Sequence, residues 1–240
     1  MFGNACLSSS PTVDNWEVKA AFRPEFADYR QVPKISGDKG ISFKKIRDIS
    51  SYASADGTLR WQVPSGRWRI MRFGHVPTGA KTKHGRKGMS GLECDRMSAA
   101  AARLQWESFF KRVCDTLGLA GVKPDGLVMD SHEAGAQNWT AGFAAEFRRR
   151  RGYEIIPWLP VVSGRLVGSR SKSDKVLYDF RRTIADLISD NFYSVIDSLC
   201  ASAGVTFTAQ AIGAALTIAG DNIQSKGRVV KPQGEFWAYQ

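Results

Sequence analysis

The chain has 240 residues, 43% of them hydrophobic and 24% charged, enough to bury a full core as one large or two small domains. No apolar run approaches the roughly 18 residues of a membrane span, so a helical membrane protein is excluded and no membrane partner is expected. The formal net charge of +11 raises a nucleic-acid partner, but no recognition helix, RNP pattern or zinc-finger spacing accompanies it, and the expectation is no nucleic acid.

In chain order, residues 1–10 lack the basic start and long apolar centre of a signal peptide, so none is expected within this chain. Asp14 to Arg30 is compatible with a short helix ending before Pro33. Ala55 to Thr58 and Pro64 to Gly66 read as turns. Leu59–Val63 and Trp68–Phe73 alternate apolar and polar residues, which predicts strands with one buried face. Residues 1–95 are therefore expected to be turn-rich and β-rich, and the basic stretch Lys81 to Lys87 to be a solvated loop.

Beyond Arg96 the pattern becomes βα. Ser98 predicts the N-cap of a helix running to about Leu117, closed by Gly118, with Leu104, Phe109, Val113 and Leu117 on its apolar side. Gly126 to Met129 reads as a buried parallel strand. Thr140 to Arg150 reads as a short basic helix closed by Gly152, with Arg148 to Arg151 favourably placed at its negative end. Ile155 to Pro160 is expected to dock on the core. A long helix from Ser173 and Asp174 to about Ala203 carries the stripe Val176, Leu177, Phe180, Ile184, Leu187, Ile188, Val195, Ile196 and Leu199. Val205 to Gln210 is the next strand. Strands alternating with helices predict an α/β fold with a parallel sheet. Three or four βα units fit in 96–240, short of the eight that fill about 250 residues in a complete barrel.

The polar residues that end the apolar strands carry the candidate chemistry, because α/β sites form at carboxyl ends of parallel strands. The first strand ends in Asp130, His132 and Glu133, with Asn138 and Trp139 just beyond. A second carboxylate, Glu235, lies in a Gly-Glu-Phe-Trp stretch with Trp237. Two carboxyl groups suit glycosidic cleavage, one protonating the leaving oxygen and the other activating water or attacking the sugar. Glu133 and Glu235 are thus the candidate catalytic pair. A helix cap or a pairing with arginine remains the alternative for Asp130 and Glu133, and a surface turn for Glu235. Glu93 and Asp95 could hold a hard cation or support the following helix. His75 sits where a strand would meet a turn, either as a site residue or as a structural one. Asp221 and Lys226 stand in a polar loop. Four scattered cysteines, Cys6, Cys94, Cys114 and Cys200, show no zinc spacing, and Cys114 and Cys200 read as buried thiols. Hydrolase elbows, P-loops, dinucleotide fingerprints and metalloprotease helices are missing from the sequence.

Several ordered segments resemble glycoside hydrolase family 106, the α-L-rhamnosidases. They are Leu59 to Trp68, Arg72 to Gly79, Gly91 to Asp95, Asp130 to Thr140, Arg150 to Tyr153, Asp179 to Asp186 and Gly234 to Trp237. The resemblance implies a partial (β/α)8 TIM-like barrel with a β-rich insertion in its N-terminal part, 1–95, and βα units in 96–240. It implies inverting hydrolysis of terminal α-L-rhamnosides, a rhamnose-containing carbohydrate as partner, an extracytoplasmic location and calcium near the sugar. Glu133 matches the glutamate of the family's Asp-Ser-x-Glu motif, and Glu235 that of Gly-Glu-Phe-Trp. Asp130, His132, Asn138, Trp139, His75, Gln210 and Trp237 are the expected sugar contacts. His132 stands where the family carries tryptophan, Gln210 where a glutamate is frequent, and Val230 to Gln233 replaces Asp-Val-Pro-Met. A non-catalytic carbohydrate-binding segment or inactive relic is the alternative function, and a basic polyanion-binding domain ranks last.

Overall fold

A computed structural model describes residues 12–22, 40–82, 88, 90–133, 135–211 and 220–234. Glu235, Phe236, Trp237 and Cys6, together with residues 83–87 and 212–219, lie outside the described residues.

The architecture is mixed helix and sheet. Strands β1 (Gly126–Met129), β2 (Thr206–Ala209) and β3 (Lys231–Pro232) form a parallel sheet in the order β1-β2-β3. Register places Met129 beside Ala209, and Ala209 beside Pro232. A parallel pair needs a crossover. Here β1 returns to β2 through helices α4 (Phe143–Arg151), α5 (Leu159–Val162), α6 (Arg170–Ile188) and α7 (Ser194–Ser202), and β2 returns to β3 through α8 (Asn222–Lys226). Ahead of β1 stand α1 (Trp16–Lys19), α2 (Ala99–Gln105) and α3 (Lys111–Leu119). No helix among the described residues is long and apolar enough to cross a membrane.

The long helix forms as its stripe predicts, but it starts earlier. Ser169 is the N-cap, its hydroxyl accepting the Lys172 amide at 3.2 Å. Ser173 instead turns inward and bonds the Val167 backbone on both sides, N–H at 3.0 Å and carbonyl at 3.1 Å. Val176, Leu177, Phe180, Ile184, Leu187, Ile188 and Ile196 are buried, joined by Phe192, Tyr193 and Cys200. A π-turn at Ser189–Tyr193 separates α6 from α7 and accounts for the extra residues, because one wide turn rotates the buried face.

A second π-turn, Trp106–Phe110, joins α2 to α3 and overturns the expected stripe there. Ser98 does cap the helix, accepting the Ala101 amide at 3.2 Å. The buried face, however, is Ala102, Trp106 and Phe110, while Leu104 is 67% and Phe109 60% exposed. Both sides of this helix are apolar, so periodicity alone could not select one. Gly118 lies inside α3, and the chain turns at Gly121, with φ of 72°.

The strands expected in the N-terminal half are absent among the described residues. Leu59–Val63 and Trp68–Phe73 form no ladder; the isolated bridge from Ala53 reaches Leu59, and a second, Lys81 to Leu92, lies outside both segments. Alternation marks a segment able to pair, and pairing needs a neighbour. The turn at Ala55–Thr58 does form: Asp56 accepts the Ser54 hydroxyl at 2.6 Å and the Thr58 amide at 2.9 Å. The stretch is seated on the helical body by Gly40 N–H to Gly168 O at 2.9 Å, by Ile41 N–H to Leu166 O at 2.8 Å, and by Phe43 stacked on Trp158 at 4.6 Å. Val13, Ala20 and Ala21 share one core with Met97, Phe143, Phe180 and Phe207.

Candidate active site

The carboxyl end of the sheet gathers the strand-end residues. Beyond the last pairs, the Gln210 amide bonds Met129 O at 3.1 Å, the Gln233 amide bonds Ala209 O at 2.9 Å, and the His132 amide bonds Ala211 O at 2.8 Å. Asp130, Gln210 and Gln233 therefore leave the sheet side by side. Ala211 adopts φ of 62°, a left-handed conformation rare outside glycine and common where function demands a sharp turn. Asp130 is exposed and Gln210 half-buried. Glu133 is half-buried, with the Ser131 hydroxyl donating to its Oε1 at 3.1 Å.

The loop after β1 is held from below by the segment ahead of α2. Asp95 accepts the Thr140 hydroxyl at 2.6 Å, the side-chain amide of Gln137, and the Met97 backbone N–H at 3.0 Å. Arg96 N–H donates to the Gln137 side-chain oxygen at 3.3 Å. Asn138 donates to Ala20 O at 3.1 Å. Trp139 packs on Phe143 at 4.7 Å and Phe180 at 6.5 Å. The loop thus runs from the strand end to the core on fixed supports. Gln137 and Thr140 were not singled out from sequence. Two polar residues bracketing a tryptophan just beyond a strand end were the signal.

Beside this clamp, Arg96 is buried. Its guanidinium bonds Glu93 at 3.0 Å and the Tyr193 hydroxyl at 3.3 Å, and lies 4.6 Å over the Phe192 ring. Burial pushes the Tyr193 hydroxyl up in pKa. These contacts decide the cation question at Glu93 and Asp95. Glu93 is already neutralised by a guanidinium, and the oxygens of Asp95 accept three donors, so calcium does not fit there. Among the described residues no group of three His, Cys, Asp or Glu side chains converges elsewhere.

His132 lies behind the strand end, 3% exposed, with neither ring nitrogen hydrogen-bonded. Burial, and then the positive charge of Arg96, lower its pKa to about 3, so the ring is neutral. The expected sugar contact at His132 therefore meets a ring sealed in the interior. His75 is exposed in the extended stretch and lines a groove together with Asn138 and Trp139. Asp221 caps α8 through the Gln224 amide at 2.9 Å and pairs with Arg182 at 2.7 Å. Cys200 is buried, its thiol pushed up to about 12, and half-buried Cys94 is pushed up to about 11, both by desolvation.

The arginine run at the end of α4 is fully paired. Arg148 meets Glu154 at 2.8 Å, Arg149 Glu146 at 2.6 Å and Arg150 Asp190 at 2.9 Å. Arg151 bonds Asp186 and the Thr183 hydroxyl. Tyr153 donates to Asp179 at 2.9 Å, and burial raises its pKa. Two of the recognised motifs, Arg150–Tyr153 and Asp179–Asp186, thus bond to each other as a structural clasp.

Comparison with known proteins supports the mixed helix and sheet fold. The family profile described as alpha-L-rhamnosidase, glycoside hydrolase family 106, matches residues 3–240. The structure of a rhamnosidase from Novosphingobium sp. PP1Y is similar over 93% of this chain and 22% of that one, with a TM-score of 0.78 and 28% identity. A protein of Formosa agariphila, provisionally named a beta-glucuronidase, is 37% identical over 207 residues, which are 85% of this chain and 17% of that protein. The chain therefore spans about a fifth of the length of these relatives.

Proposed function

This chain belongs to the α-L-rhamnosidase family, glycoside hydrolase family 106, and from that premise we propose that it is the part of a glycosidase that supplies both carboxyl groups of hydrolysis, Glu133 and Glu235. One observation supports the reading: three adjacent parallel strands end at one edge, Glu133 follows β1, and in the sequence Glu235 comes shortly after β3. In the proposed inverting reaction one carboxyl group protonates the glycosidic oxygen, while the other takes a proton from water attacking the opposite face of the sugar. That geometry asks for carboxyl groups about 6.5–9.5 Å apart. Asp130 and Gln210, at the same edge, are the side chains proposed to orient sugar hydroxyls, and Trp139 or Trp237 the face on which the ring stacks. The consecutive β1, β2 and β3 units with their crossover helices are proposed to be units of a (β/α)8 barrel. The substrate is proposed to be a terminal α-L-rhamnosyl residue of a plant or microbial polysaccharide, met outside the cytoplasm. No step is assigned to calcium.

The relative named for β-glucuronide cleavage supports a second reading, in which the same edge accepts a uronic acid. The deciding experiment measures sugar release by the full-length protein from an aryl α-L-rhamnoside and an aryl β-glucuronide in parallel. Rhamnose release that falls by about 10²–10⁴-fold in Glu133→Gln, the range of positioned acid–base catalysis, is the expected result. Undiminished turnover in Glu133→Gln sinks the assignment. Binding of rhamnosides without hydrolysis of either substrate would favour a carbohydrate-binding role instead.

A further inference from the structure

A groove of about 1490 Å³ lies between the extended stretch 41–78 and the helical body. Its outer wall carries Lys44, Lys45, Arg47, Arg67, Arg69 and Arg72, and its inner wall includes Gln137, Asn138 and Trp139. Among the described residues the lining includes seven lysines and arginines, these six and Arg165, against one carboxylate residue, Asp48. Asp48 already accepts the Ser50 backbone N–H at 2.9 Å.

These cations differ from the arginine run at the end of α4. Arg148 to Arg151 each have a carboxylate partner, whereas none of the six on the outer wall joins an ion pair among the described residues. Like charges gathered around one concave space raise its potential and favour the entry of an anion. The groove also has rigid aromatic faces. Trp61 and Trp68 meet edge-to-face at 5.5 Å, the Trp68 indole N–H donates to Pro64 O at 2.8 Å, and the Arg47 guanidinium lies 5.1 Å over the Trp68 ring. A held indole beside a guanidinium suits a pyranose whose apolar face stacks while its acidic substituent is paired.

We infer that this groove binds an anionic glycan, a chain of pyranoses bearing carboxylate or sulfate groups, and leads it toward the β1 strand end. The inner wall makes the link: residues 137–139 belong to the loop that begins at Asp130 and Glu133. The choice of sugar over nucleic acid rests on the family's carbohydrate chemistry. The cationic groove itself does not depend on which residues hydrolyse the bond.

The test is calorimetric binding to the full-length protein, repeated in Glu133→Gln so that it is read without turnover. The probes are hexagalacturonic acid for carboxylates, sulfated maltohexaose for sulfate esters, maltohexaose as the neutral control and a single-stranded deoxythymidine 20-mer as the non-sugar polyanion. At least one anionic hexasaccharide should bind about tenfold or more tighter than maltohexaose and weaken about tenfold between roughly 50 and 300 mM NaCl, as screening requires. The exposed triple variant Arg67→Gln/Arg69→Gln/Arg72→Gln should lose a similar factor, and Trp68→Ala should weaken binding with its salt dependence retained. Circular dichroism of the variants separates lost binding from lost structure. Equal binding of maltohexaose, an unaffected triple variant in a folded state, or an oligonucleotide that matches the anionic sugars would each overturn the inference.

Discussion

Asp95 and Thr140 are joined by a 2.6 Å hydrogen bond that fastens the far end of the loop beginning at Asp130 and Glu133. Together with Gln137 it turns a strand-end loop into a braced one. Asp95→Ala removes three acceptor contacts at once and lets the loop drift. Misplacing a reacting group by about 1 Å costs about 10²-fold in rate. The full-length Asp95→Ala protein should therefore lose about that factor in kcat on an aryl glycoside, and limited proteolysis should show faster cleavage within 134–140. Unchanged kcat and unchanged cleavage would show that the brace does not position Glu133.

His132 makes stability acid-sensitive. Its folded-state pKa of about 3 lies below the ordinary 6.5, so between these values the unfolded chain takes up a proton that the folded one refuses. Stability from this group is complete above about pH 6.5 and falls as the pH drops toward 3, by about 2 kcal/mol at pH 5 relative to pH 7. His132→Phe removes two nitrogens that have no partner and should cost little at pH 7. Urea midpoints at pH 7 and pH 5 check this. The drop with acid should shrink in His132→Phe, and an equal drop in both proteins would place the sensitivity elsewhere.

Asp186 is the hub of the clasp. Its carboxylate, 11% exposed, meets Arg151, Arg182 at 3.2 Å and the Gln224 side-chain Nε2 at 3.1 Å. Asp186→Ala leaves the largely enclosed Arg151 guanidinium with the Thr183 hydroxyl but no carboxylate, and should destabilise the fold by about 3 kcal/mol. The exposed pair Lys111–Asp115, at 2.7 Å, is the contrast, since Asp115→Ala should cost at most about 1 kcal/mol. Chemical denaturation of both variants reads the difference directly.

Gly40 seats the cationic stretch. A Cβ there would lie 2.2 Å from the Leu166 carbonyl oxygen, a backbone atom that cannot swing aside. Gly40→Ala should loosen the outer groove wall at a cost of about 1–3 kcal/mol, as overpacking does. Hydrogen exchange should quicken at the Ile41 and Gly168 amides, which bond across this seam, and remain slow along α6. Uniform protection would mean that the seam has room to adjust.

Much of the second half could be read from residue order. Ser98 announced its cap because its hydroxyl serves a local backbone amide, and the stripe from Val176 to Ile196 announced a buried face because it repeats at helical spacing. The parallel strand was legible from an apolar run that stops at Asp130, but its expected burial was not met, since Gly126 and Val128 are exposed where no strand or helix of the described residues covers them. What failed depended on partners distant in sequence. Leu59–Val63 alternates like a strand but finds no ladder among the described residues, and Leu104 and Phe109 repeat helically but face outward. Within the candidate site, the place of Glu133 beyond the strand end was legible, and the brace at Asp95 was half legible, weighed as a cation ligand or helix support. The bond to Thr140 needed the fold. The recognised motifs around Arg151 and Asp186 had no visible purpose until the chain brought them together.

Strand β1 ends the sheet among the described residues, and Val128 on it is 67% exposed. One row of its backbone donors and acceptors therefore has no neighbouring strand among the described residues. Such a margin recruits whatever extended backbone is at hand. Expressed by itself at high concentration, this 240-residue chain should self-associate through that margin, with light scattering that rises with concentration. Val128→Lys would keep the molecules apart by placing like charges where the two margins would meet.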